Sequence, residues 1–262
     1  MSNESAPVVL CDLDGVVWLS RHPIAGSVEA IASMRRAGHR LLFVTNNSAS
    51  LVEEQEQALA DIGIPAVGDV LTSAQAAAEL MQPGETAYVC GGEGIVQALH
   101  ARGVEVRTDG TVDAVLVGFH RDFDYAGLTR AATAVRAGAR LIGTNDDPTY
   151  PTPDGPIPGG GSILAAVATA SGMQPVVAGK PYRPMVALVQ EIIGEEAALD
   201  AVMVGDRPDT DGRFARAIGC RFALVWSGVT RRGAAVVPVP DVAVANLAAV
   251  AALLDGAGIA RK

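Results

Sequence analysis

Two aspartates, Asp12 and Asp14, stand two residues apart in the apolar run VVLCDLDGVV, Val8 to Val17. Side chains alternate along a strand, so both carboxylates face the same side, and their repulsion costs free energy unless a cation, most simply a divalent metal, lies beside them. Polar clusters also follow two further apolar runs: Thr45, Asn46, Asn47 and Ser48 after Arg40 to Val44, and Asp206, Asp209 and Asp211 in GDRPDTD after Ala201 to Gly205. Lys180 sits in AGKPY, between a short strand and a helix. In an open parallel sheet the carboxyl ends of the strands face one crevice, so Asp12, Asp14, Thr45, Asn46, Lys180, Asp206 and Asp211 are expected to converge there.

Phosphoryl transfer is the chemistry these residue types serve best. Magnesium takes carboxylate and carbonyl oxygens plus water, which Asp12, the Asp14 carbonyl and Asp206 can supply. A carboxylate, Asp12, can then attack phosphorus in line, while Asp14 protonates the leaving oxygen and later deprotonates water. Lys180 offers a point charge to a phosphate oxygen, and Thr45 and Asn46 offer hydrogen bonds. Taken singly, each cluster has an ordinary reading: DLDG a turn, TNNS a helix cap, GKP a loop with a solvated lysine, GDRPDTD an acidic helix start. Their occurrence together, in this order, is what points to a site.

The elements that must position them alternate. Val8 onward is a strand, Ser27 caps a helix to about Ala37, and Arg40–Val44 is a second strand. Ser50 and Glu53 have capping-box spacing for a helix through Ile62. Ala66–Leu71 is a strand, and Thr72 or Ser73 caps a helix to about Met81. This order predicts an α/β fold, a doubly wound parallel sheet. The alternation restarts at Pro83, with strands at Thr86–Cys90, Val112–Phe119 and Arg140–Thr144, and helices at Glu93–Ala101, Tyr125–Ala137 and Ser162–Ser171. A long polar loop, Asn145 to Gly161, is expected to be functional or mobile. A helix to Ile193, strands at Ala201–Gly205 and Arg221–Trp226 and a helix at Asn246–Leu254 complete the chain, and Val236–Val244, broken by two prolines, has no assignment. The expected division is a catalytic core of 1–72 and 177–262 with a second, smaller inserted α/β domain at 73–176.

Composition narrows the classes. The 262 residues are 49% hydrophobic, enough for a substantial core, and the net charge of −9 argues against a nucleic-acid partner. Cys11, Cys90 and Cys220 form no metal or CxxC spacing, which suits a reducing cytoplasm. The polar start MSNESAP shows no secretory pattern, and no apolar stretch is long enough to span a membrane. GGEGI lacks the rest of a dinucleotide fingerprint, Gly179–Lys180 lacks the other Walker-A glycine, no GxSxG occurs, and the four histidines have no metal spacing. Cys11, beside Asp12, reads as a buried strand cysteine.

DLDGV, FVTNNS, GKP and GDRPDTD resemble, in that order, the four motifs of the haloacid dehalogenase (HAD) superfamily, specifically its NagD-like phosphatases, in which a large α/β cap is inserted between the second and third motifs. VGFHRDFDY, TNDDPTYPTPDG and PGGGSILAAV look like stretches of that cap. The resemblance implies a HAD-like Rossmannoid core and a phosphatase of small phosphorylated metabolites such as glycerol phosphate, phosphoglycolate, pyridoxal phosphate or a nucleotide monophosphate. It implies Asp12 as nucleophile, Asp14 as acid/base, and Mg2+ held by Asp12, Asp14 and Asp206, with Asp211 behind them. Thr45, Asn46, Asn47 and Lys180 hold the phosphate. Asn145, Asp146 and Tyr150 are expected to choose the substrate, Val16–Ile24 to form a short flap, and the cap to mediate a homodimer. Gly212, Arg213 and His120 depart from the family pattern. A phosphomutase or phosphotransferase sharing the aspartyl phosphate, and a non-catalytic phospho-accepting sensor, are the competing readings. Asp14 placed to activate water counts against the first, and the large cap against the second.

Overall fold

The computed structural model describes residues 6–150, 152, 154–256 and 258–260, so the polar stretch at 1–5 lies outside the described residues. The chain forms two compact units. One comprises the chain up to Thr45, Gln55–Leu71 and the chain from Val189 on; the other comprises Asn46–Glu54 and Thr72–Leu188.

The first unit is built on a six-stranded sheet in the spatial order Val242–Val244, Arg221–Val225, Val202–Gly205, Val9–Cys11, Leu41–Thr45, Val70–Thr72. Val9–Cys11 pairs in parallel with both Val202–Gly205 and Leu41–Thr45. From this central strand the chain first moves to one side and later returns to build the other, so the topological switch point falls between Cys11 and Gly205, where doubly wound sheets bind ligands. Leu10, Leu42, Phe43, Met203 and Phe222 have no exposed surface. Burying each such side chain is worth roughly 1.5–3 kcal/mol, enough for the strands to carry costly loops at their ends. The apolar segment left without an assignment supplies the edge strand Val242–Val244, which begins only after Pro238 and Pro240 because proline cannot donate to the ladder.

Two cap expectations shift. Gly26, not Ser27, precedes the first helix; Ser27 is buried and donates its hydroxyl to the Val17 carbonyl at 2.8 Å. The helix expected from Ser50 begins at Val52, and Glu54 rather than Glu53 reaches back, accepting from Leu51 N–H at 3.2 Å. Thr72 does cap Ser73–Ala78, in a capping box with Gln75. The flap segment is a small antiparallel hairpin, Trp18–Leu19 with His22–Pro23.

The second unit has a five-stranded sheet ordered Val176–Val177, Arg140–Gly143, Ala114–Val117, Thr86–Cys90, Glu105–Val106, all pairs parallel. Its core gathers Val115, Val117, Val135, Leu141, Leu164 and Val167 beneath the helices Tyr125–Arg136 and Gly160–Ser171. Within the long polar loop lies a second hairpin, Thr149–Tyr150 with Ile157–Pro158. Residues 46–54 and 177–188, expected in the catalytic core, group with this unit. The contacts behind that include a 2.8 Å hydroxyl pair between Ser48 and Thr144 and main-chain bonds from Ala178 to Gly143 and from Gly179 to Thr144.

The departure at Gly212 has a packing reason. Gly212 ends a five-residue π turn, Pro208–Gly212, and a Cβ there would stand 2.8 Å from Phe222 Cε1 and 3.0 Å from Pro238 Cγ. Gly212→Val is therefore expected to cost about 1–3 kcal/mol through overpacking, read as a lower denaturation midpoint. Arg213, next to it, is exposed and opens the helix Arg213–Ile218 without entering the core. His120 lies 3.3 Å from the Gly118 carbonyl and edge-on to Phe123.

Candidate active site

Asp12 is the first residue beyond the central strand, its N–H donating to the Val204 carbonyl at 2.9 Å. Asp206 is the first residue beyond the neighbouring strand. Adjacent parallel strands in register thus deliver two carboxylates to the switch point. The π turn brings a third. Asp211 N–H donates to the Arg207 carbonyl at 2.8 Å, and Asp211 Oδ2 accepts from Arg207 N–H at 3.0 Å. Among the described residues, the carboxylates of Asp12, Asp206 and Asp211 are buried within 4.8 Å of one another. Asp211, expected behind Asp12 and Asp206, stands in one cluster with them.

Glycines make this density of charge possible. Gly15 has φ +89°, and a Cβ there would lie 2.5 Å from Asp206 Oδ2; at Gly205 one would lie 2.2 Å from Asp211 Oδ2. Asp206 has no exposed surface. Its Oδ2 accepts from Val229 N–H, while its Oδ1 is buried without a hydrogen-bond partner. Burial, then the neighbouring charges of Asp211 and Asp12, push its carboxyl well above the usual carboxylate range. A cation among the three would satisfy the orphaned oxygen and offset that repulsion, and an all-carboxylate donor set suits a hard divalent ion.

Asp14 is half-buried and bridges to Trp18, and Gly15 N–H donates to the Trp18 carbonyl. Thr45, the last residue of its strand, is 2% exposed. The loop after Arg221–Val225 was not anticipated: Ser227 donates to the Gly15 carbonyl at 2.7 Å, and Val229 supplies the N–H on Asp206. The rule applied to the other strand ends reaches it too, since it follows a buried strand.

The remaining expected residues lie in the second unit. Lys180 is 1% exposed, and Gly179 before it is obligatory, because a Cβ would stand 2.5 Å from Asn46 Oδ1 and 2.6 Å from the Thr144 carbonyl. The Asn46 side chain is engaged within the protein. Its Oδ1 accepts from Lys180 N–H at 2.8 Å, and its Nδ2 donates to the Lys180 carbonyl at 3.1 Å and to Asp147 Oδ2 at 3.0 Å, which occupies both amide hydrogens. Asn47 closes a turn by accepting from Ala49 N–H. Asn145, expected to meet substrate, is 4% exposed and donates to the Asn46 carbonyl at 2.8 Å. Asp146 is exposed and accepts from the Tyr182 hydroxyl; Tyr150 stacks on Phe119 with centroids 4.9 Å apart.

Comparison with known proteins gives this arrangement its family. A model of haloacid dehalogenase-like hydrolases matches residues 9–105, and a HAD-hydrolase-like model matches residues 177–250. An acid sugar phosphatase of Staphylococcus saprophyticus is 39% identical over 85% of this chain and 87% of its own. The chain belongs to the haloacid dehalogenase-like hydrolases. Within that family it is a hydrolase of phosphoric monoesters with a NagD-like fold: a structure described as a putative NagD protein matches 95% of this chain and 98% of its own with a TM-score of 0.86 at 26% identity. D-glycerol 3-phosphate phosphatase of Mycobacterium tuberculosis is 40% identical over 84% of this chain, which spans 63% of the length of that relative. A crystal structure of glycerol phosphate phosphatase from the same organism, in complex with magnesium, has a TM-score of 0.83 at 36% identity, covering 93% of this chain and 75% of its own. No helix among the described residues of this hydrolase is long and apolar enough to cross a membrane.

Proposed function

We propose that this hydrolase acts on small phosphorylated metabolites of the polyol phosphate and sugar phosphate class, through a phosphoaspartate on Asp12. The observation that carries the reading is the buried carboxylate cluster with an unsatisfied oxygen on Asp206. Asp12, the Asp14 carbonyl and Asp206 would hold magnesium, with Asp211 beside them. The ion, when bound, neutralises phosphate charge and polarises a phosphoryl oxygen.

Asp12 attacks phosphorus through one carboxylate oxygen, and the ester P–O bond breaks as the acyl phosphate forms. Asp14 gives its proton to the departing alkoxide. It then takes a proton from the water that attacks the phosphoaspartate, releasing inorganic phosphate and restoring Asp12. Lys180 supplies the fixed cation for the phosphate, and Thr45 a hydroxyl donor. The names of the relatives support glycerol phosphate and acid sugar phosphates as the first substrates to try.

The test is phosphate release from glycerol 3-phosphate, sugar phosphates, phosphoglycolate, pyridoxal phosphate and nucleotide monophosphates, with magnesium and with chelator. Magnesium-dependent turnover concentrated on polyol or sugar phosphates is the expected result. No hydrolysis of any ester, or hydrolysis unaffected by chelation, overturns the reading.

A further inference from the structure

The two polar atoms of the Asn46 carboxamide grip the main chain of Lys180 on its N–H and its C=O. That grip works in one sense only. Rotating the amide by half a turn would set an N–H against the Lys180 N–H and an oxygen against its carbonyl, losing both bonds. Oxygen and nitrogen have nearly the same size, so sterics alone do not choose between the two orientations. The Lys180 main chain makes that choice, and the second Nδ2 hydrogen, which points at Asp147 Oδ2, 3.0 Å away, anchors the amide in it. An ionised carboxylate accepts and does not donate, so it tolerates the nitrogen in that place and rejects the oxygen.

Asp147 is itself held. Its N–H donates to Asn145 Oδ1 at 3.2 Å, and its carbonyl accepts from Gly161 N–H at 2.9 Å. A Cβ at Gly159 would stand 2.5 Å from that carbonyl oxygen. We propose that Asp147 is a positioning residue for Lys180, acting through Asn46 by anchoring the carboxamide that grips the Lys180 main chain. This rests on the reading of Lys180 as the phosphate-holding cation. It assigns to the loop expected to choose substrates a part in the chemistry common to all of them.

The experiment uses p-nitrophenyl phosphate with magnesium and four variants: Asp147→Ala, Asp147→Asn, Asn46→Ala and the Asn46→Ala/Asp147→Ala pair. Asp147→Ala is expected to lower kcat about 10- to 100-fold, as displaced catalytic groups do, while KM moves less than about threefold. Asp147→Asn retains an acceptor oxygen and is expected to keep kcat within about fivefold of the parent. Because both alanine changes act on one grip, the double variant should be no slower than the slower single variant. Asp147→Ser, whose hydroxyl is too short for Asn46, replaces Asp147→Ala if the latter has no cooperative melt, with the same expectation. A parental kcat in Asp147→Ala, an Asp147→Asn as slow as Asp147→Ala, or losses that multiply in the double variant each overturn the proposal. A parent protein inactive on every phosphate ester instead removes the functional reading beneath it.

Discussion

Asp12→Asn is expected to lower kcat for phosphate release by at least roughly 10^4-fold, since an amide cannot form the acyl phosphate that splits the reaction into two easier steps. The loss should be chemical and not conformational. Asparagine has nearly the same shape, the main-chain bond from residue 12 to the Val204 carbonyl is untouched, and one negative charge leaves a crowded cluster. The variant should therefore melt no lower than the parent in chelator while releasing no phosphate in magnesium. Steady-state phosphate release beside a thermal melt checks both halves. Turnover within tenfold of the parent would exclude Asp12 as nucleophile.

The second large effect is on stability, and its sign reverses with the ion. In the absence of a cation, Asp206 is buried against two carboxylates, and the fold favours its neutral form. Asp206→Asn fixes that neutral form permanently. In chelator it is expected to raise stability, by an amount on the order of 1–3 kcal/mol, because a carboxyl no longer has to be desolvated beside two others. For a chain of this size that corresponds to a melting temperature higher by roughly 2–8 °C. Magnesium should raise the parent's melting temperature through mass action and move the variant's far less. Calorimetry of both proteins, in chelator and in magnesium, reads all four values. A variant that melts lower than the parent in chelator, or gains as much from magnesium, would show that Asp206 is not the ion's ligand.

Much of this site is legible in the sequence because buried strands advertise themselves and because the polar residues in question stand directly at their ends. Asp12 after Cys11, Asp206 after Gly205 and Thr45 at the end of its strand need no tertiary information beyond the rule that parallel strands share a carboxyl edge. What was not legible is how polar loop residues divide between substrate and scaffold. Asn46 and Asn145 have side chains suited to either, and only the fold shows that one grips Lys180 and the other the Asn46 carbonyl. The same ambiguity misplaced Ser27, whose hydroxyl serves Val17 instead of the helix it opens. The Ser227–Val229 loop escaped notice for the opposite reason. Its contribution to Asp206 is a main-chain N–H, which any residue but proline carries, so no residue type marks it.

The grouping of residues 46–54 with the second unit bears on how specificity could be exchanged among relatives. A transplant cut at Thr72 and Leu188 would carry Thr144, Asn145, Gly94 and Gln97 away from Ser48, Asn46, Ala49 and Val52, their hydrogen-bonding partners here. The natural unit of exchange is discontinuous: the strip Asn46–Glu54 has to travel with the larger segment it serves. A chimera built that way keeps donor and acceptor pairs from a single parent, whereas one built on the insertion alone sets one parent's loops against another's partners.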